Sequence, residues 1–126
     1  MDIALKIRSV LLNNNPLLQI IGQKIQPIFA TQGTEPPAIL YEIEEEASQQ
    51  SPICNVRSSR MSLHCFSRNY GEARNIADLC EKVLDRYHDE VINLCLKESQ
   101  RDIPEPTEEG QGQIYHTEII FKIESE

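Results

Sequence analysis

The sequence predicts an α+β fold: a mainly antiparallel sheet of four to five strands with two helices packed on one face. Apolar residues recur at helical spacing in two segments and alternate with polar ones in several others, which is the primary signal separating helix from strand. Two stretches rich in Pro, Gly, Ser and carboxylates punctuate them. A chain of 126 residues buries roughly two thirds of its unfolded surface around one core, so residues 1–126 are expected to form one domain.

Ile3, Ile7, Val10 and Leu11 share one helical face, with Asp2 where an N-cap belongs. Asn13-Asn14-Asn15-Pro16 stops this helix, because the residue before a proline is pushed out of the helical region. Pro16 suits the first position of a further turn or short helix over Leu17 to Ile21, which Gly22 would close. Two β-like runs follow, Ile25 to Ala30 and Ala38 to Ile43, around Thr31 to Pro37. In the second, Ile39, Tyr41 and Ile43 alternate with Leu40, Glu42 and Glu44.

Glu44 to Ser59 is acidic, then Gln/Ser-rich, and reads as a long loop. Arg60 to Phe66 reads as an inner strand, with Met61, Leu63 and Cys65 on one side. After Tyr70-Gly71, the positions Ala73, Ile76, Ala77, Cys80, Val83, Leu84 and Tyr87 trace the clearest amphipathic helix. Val91 to Leu96 is a fourth strand and Ser99 to Gly112 a second exposed loop. Tyr115, Thr117, Ile119, Phe121 and Ile123 alternate along a final strand. Ile120 and Phe66 face away from the committed core side. They suggest either a partner or helices divided between the two faces of the sheet.

Twelve basic against twenty acidic side chains leave a net charge of −8, which opposes sequence-independent binding to phosphate backbones. The longest apolar runs fall far short of the ~20 residues that span a bilayer, so no membrane partner is expected. The start, Met1 to Lys6, lacks the basic and apolar regions of a secretion signal. Cys54, Cys65, Cys80 and Cys95 are never closer than eleven positions. That spacing removes CxxC metal and redox motifs and favours reduced core thiols.

Three groups of residues could carry chemistry. His64 and Cys65 are adjacent on a strand and so point to opposite faces. His88 would meet Cys80 or Cys95 only through an accident of packing. The acidic run Glu42, Glu44, Glu45 and Glu46 lacks the turn glycine of a calcium loop. No catalytic residue, cofactor site or metal ligand is expected from these patterns.

The order of three segments resembles the siphophage tail-terminator, or tail-completion, family. They are Leu17-Leu18-Gln19-Ile20-Ile21-Gly22 leading into Ile25-Gln26-Pro27-Ile28, the stretch Thr31 to Tyr41, and Arg60 to Phe66 followed by Tyr70-Gly71-Glu72-Ala73. The closing Tyr115 to Phe121 is similar to the family's last strand. The resemblance implies a structural virion protein without enzymatic activity, assembled in the host cytoplasm from an active phage or a prophage. It implies a self-associating ring of six that binds the major tail-tube protein at the head-proximal end of the tube, ends its polymerisation and meets a head-tail connector protein. DNA would pass through such a ring without sequence-specific contact, and an acidic lumen would repel it. On this reading the contact residues are Glu44, Glu45, Glu46 and Arg57 in the first loop, Arg60 at the start of the strand after it, and Arg101, Glu105, Glu108 and Glu109 in the second loop. Another neck component of the virion and a small cytoplasmic enzyme remain as alternatives.

Overall fold

The computed structural model describes residues 3–28, 35–45, 57–104 and 113–125. In chain order the elements are α1 (Ile3–Leu12), α2 (Asn15–Ile21), β1 (Ile25–Pro27), β2 (Ala38–Glu45), β3 (Arg57–Ser67), α3 (Tyr70–Leu84), β4 (Ile92–Ile103) and β5 (Tyr115–Ser125). The strands form one five-stranded sheet in the order β1-β2-β3-β5-β4. All pairs are antiparallel except β1 with β2, which run parallel. The fold is therefore α+β, as expected. Among the described residues no helix is long and apolar enough to cross a membrane.

The short helix after Pro16 is real, and it makes three helices instead of two among the described residues. Asn14 caps it by accepting from the Leu17 N–H at 2.9 Å, and Pro16 occupies its first turn. Gly22, at φ 61°, closes it with its N–H on the Leu18 carbonyl, in a left-handed conformation that costs glycine little. The expected cap Asp2 lies outside the described residues.

Helix α3 starts three residues before its first apolar marker. Asn69 accepts from the Glu72 N–H at 3.1 Å, while the Glu72 carboxylate accepts from the Ser67 hydroxyl at 2.7 Å. That hydroxyl in turn accepts from the Asn69 N–H at 3.0 Å. These bonds satisfy donors that every helix start leaves open, so Tyr70-Gly71 belongs to the helix and does not precede it.

All described helices pack on one side of the sheet. Ile7, Leu11, Leu17, Ile21, Ile76, Cys80 and Leu84 meet Ile39, Leu63, Cys65, Ile119, Phe121 and Ile123 in a single buried cluster. Each fully buried side chain of this kind contributes roughly 1.5–3 kcal/mol. Cys65, Cys80 and Cys95 are free and fully buried, as core thiols. Contact with Cys80 and then burial hold the Cys65 thiol well above its ordinary pKa, and burial pushes Cys95 up to about 12. Cys54 lies outside the described residues.

Both predicted loops begin later than expected. Ser99 to Ile103 continues β4, because β5 offers a ladder partner for nearly every residue there, from Ser99 opposite Ile120 to Ile103 opposite His116. Glu44 and Glu45 stay in β2 and Arg57 to Ser59 in β3, paired as Glu44 with Arg60 and Glu45 with Ser59. Charge and polarity suggested loops, but the hydrogen-bond ladder of a long hairpin decided these residues. The first strand is shorter than expected, three residues ending at Pro27, where an edge tolerates a missing N–H.

Candidate functional site

The helices cover one face of the sheet and leave β4 at one edge, and these two features locate the surfaces available for function. The first half of the β4 edge is occupied. The Arg86 N–H reaches the Cys95 carbonyl, the Cys95 N–H reaches Tyr87 at 2.9 Å, and the Lys97 N–H reaches the Asp85 carboxylate at 3.0 Å. From Glu98 to Ile103 no described strand pairs on that side. A register shift between Lys97 and Ser99 marks the change. The open half carries Glu98, Arg101 and Asp102, and charge together with a bulge is how an exposed edge is kept from indiscriminate pairing.

The face away from the helices is polar. Arg60 grips Glu98 through two bonds, Nε at 2.6 Å and a terminal nitrogen at 2.9 Å, beside Lys122, its ladder partner on β5. Arg101 donates from Nε to Glu118 at 3.0 Å. Glu118 is buried, while the Arg101 side chain is 71% exposed. Further in, His64 and His116 approach to 2.8 Å between Nδ1 and Nε2, and His64 Nε2 lies 2.7 Å from Glu42. Phe66, expected to face outward, stacks on His116 with ring centres 4.2 Å apart.

A third feature sits at the sheet end nearest the start of α3. A cleft of about 270 Å³ is lined by Tyr70, Asp102, Ile103, Pro104 and Tyr115 among others. Asp102 accepts from the Tyr70 hydroxyl at 2.8 Å, from Arg74 at 3.1 Å and from the Thr117 hydroxyl at 3.1 Å. These donors, the Tyr70 hydroxyl first, hold its carboxyl below the usual carboxylate range.

The expected contact residues are therefore scattered. Glu44, Glu45, Arg57, Arg60 and Arg101 stand on strands, and Arg60 and Arg101 already hold carboxylates of the same chain. Glu46, Glu105, Glu108 and Glu109 lie outside the described residues. Cys65 and His64 do face opposite sides, one in the core and one on the polar face. His88 is exposed, its Nδ1 beside the Arg86 carbonyl at 3.3 Å. The sequence reading did not find the grouping of Glu42, His64, His116 and Glu118. Alternation assigns a face within each strand, but only the ladder register brings the three strands together.

A family model described as "Tail completion protein gp17" matches residues 6–123, nearly the whole chain. The protein belongs to this tail-completion family. A tail-completion protein is a component of the virion tail, so the resemblance noted in the sequence holds at that level. Among solved structures, a chain of the virion of a native gene transfer agent particle shares the fold with a TM-score of 0.71. The match has 8% identity and covers 94% of this chain and 90% of that one. No curated protein matches. In this tail-completion chain the matched span holds the open half of β4 and all of the helical layer and sheet except the first three residues of α1 and the last two of β5.

Proposed function

We propose that residues 1–126 act as one tail-terminator domain that closes into a ring, most simply of six copies, on the head-proximal end of the tail tube. The ring ends tube polymerisation, presents the surface that a head-tail connector protein meets, and carries out no reaction. The observation that carries this reading is the match to the tail-completion family over residues 6–123. The edge from Glu98 to Ile103, unpaired among the described residues, supports it, because such an edge is a template for a neighbouring chain and a cyclic head-to-tail interface can close a ring. Glu44, Glu45, Glu46, Arg57, Arg60, Arg101, Glu105, Glu108 and Glu109 are the contact residues of this proposal, shared between neighbours in the ring and the last tube subunits.

Light scattering across a range of protein concentrations tests the self-association. Six 14.4 kDa subunits give a species of roughly 86 kDa if the closed ring forms unaided. A strict monomer at every concentration, unchanged by added tail tubes, would overturn the ring.

A further inference from the structure

The ring reading makes no use of the polar group in the middle of the sheet face away from the helices. Glu42 on β2, His64 on β3 and Glu118 on β5 share that face because His64 stands opposite Leu40 on one side and Glu118 on the other, and Glu42 is two residues along from Leu40. One donor atom from each lies within 4.8 Å of the other two. His64 Nε2 is 2.7 Å from Glu42 Oε1 and 3.6 Å from Glu118 Oε2. One imidazole nitrogen facing two carboxylate oxygens is a donor set for a first-row divalent ion of the zinc class. Calcium and magnesium prefer all-oxygen shells of six or more ligands.

The surroundings supply an independent argument, because both buried donors are oriented from behind. His64 turns its other nitrogen, Nδ1, to His116 Nε2 at 2.8 Å, and His116 is itself fixed by stacking on Phe66. Arg101 holds the other oxygen of Glu118, Oε1, at 3.0 Å, leaving Oε2 turned toward His64. Metal-binding histidines almost always have their second nitrogen engaged in this way, and ligating carboxylates are likewise held by hydrogen bonds. The His64 and Glu118 side chains are 7% and 8% exposed, but Glu42 is 50% exposed, so an ion can enter past it.

We propose that Glu42, His64 and Glu118 bind one divalent transition-metal ion, with water in the remaining position, and that the ion ties β2, β3 and β5 together. In a tetrahedral site with bonds of about 2.0–2.1 Å the donors stand roughly 3.3 Å apart. The 3.6 Å separation already suits this, and the half-exposed Glu42 side chain swings out to open the 2.7 Å one. In the metal-free form the 2.7 Å contact is a hydrogen bond from the His64 Nε2–H to Glu42. The ion takes that proton's place on Nε2, the proton of the neutral ring moves to Nδ1 and donates to His116 Nε2, and His116 keeps its own proton, now on Nδ1, so loading changes the tautomer of both rings.

The test uses the full chain, freed of metal by a chelator and titrated with zinc chloride by calorimetry, with a thermal melt at each loading. One equivalent should bind and raise the melting temperature. Glu42→Gln, at a half-exposed position that the fold tolerates, should weaken binding by more than the roughly 10- to 100-fold that loss of an outer partner costs. His64→Gln should abolish it, with circular dichroism verifying that the variant is folded. Cobalt in place of zinc should give visible bands of a tetrahedral nitrogen and oxygen site. Absence of stoichiometric binding, equal affinity in Glu42→Gln, or a cobalt spectrum dominated by thiolate charge transfer, which would move the site to the cysteines, would overturn the proposal. None of these outcomes bears on the oligomeric state, so this site and the ring stand or fall separately.

Discussion

Asp89 holds the connection between α3 and β4 with a single carboxylate. One oxygen accepts from the N–H groups of Val91 and Ile92 at 2.8 and 2.7 Å, and the other from the Tyr87 hydroxyl at 2.8 Å and Lys6 at 3.0 Å. The last contact ties α1 to the turn. These donors, the Ile92 N–H foremost, hold the Asp89 carboxyl far below the ordinary carboxylate range. A carboxyl with a depressed folded pKa adds stability that is complete above its unfolded value, about 3.9, and is lost as the pH falls through the folded value. Stability measured by urea unfolding should therefore decline below about pH 4. In Asp89→Ala part of that decline should vanish, at a cost near neutral pH of about 1–3 kcal/mol from the donors left without an acceptor. An unchanged pH profile in the variant would contradict this role. The buried thiols give a second residue-scale expectation. Cys65, Cys80 and Cys95, fully buried and with Cys65 and Cys95 held protonated, should resist alkylation in the native chain and react once urea unfolds it, as mass spectrometry of each cysteine peptide would show.

Among the elements, α3 is the hinge of the topology, since it carries the chain from β3 across β5 to β4. Its start depends on Asn69, and Asn69→Ala should lower stability by about 1 kcal/mol in urea unfolding, whereas a change at the exposed Asn75 should be close to neutral. The core strands are less forgiving. Phe121, 1% exposed, should cost about 3–5 kcal/mol when cut to Ala. Helical spacing in Ala73 to Leu84 and alternation in Tyr115 to Ile123 made these elements legible in the sequence, because packing against one face imposes the pattern directly. The second half of β4 was not legible. Lys97 to Asp102 is polar throughout, and its strand character comes from pairing with β5 at a sheet edge, where solvent on one side removes the apolar signal. The short reach of β1 was hidden for the complementary reason: Ile25 to Ala30 has strand composition, but its ladder with β2 ends at Pro27.

Across the whole molecule, α+β architecture and a one-sided helical layer followed from the periodicities, while the strand order, and with it the grouping of Glu42, His64 and Glu118, did not. Those residues are separated by 22 and 54 positions in sequence, and no local spacing announces a site assembled from three strands. The expected contact residues fared according to what decided them. Arg60 is a cation in an otherwise acidic chain and Arg101 opens the second expected contact region, and the fold gives them Glu98 and Glu118 as partners within the same chain. Their part in assembly would therefore require exchanging or sharing those carboxylates. An exposed pair such as Arg60 with Glu98 contributes little to stability, so Arg60→Ala should leave urea unfolding within about 0.5 kcal/mol of the parent while weakening ring formation in light scattering. If ring formation is unaffected, Arg60 is not a contact residue.

The central claim is that this chain caps a growing tube. Tail-tube protein should be polymerised with and without the purified chain, and the tubes imaged by electron microscopy as they grow. The account predicts a ring-shaped density at one end of each tube and an arrest of growth there. Tubes that continue to lengthen at both ends, with no added density, would contradict it.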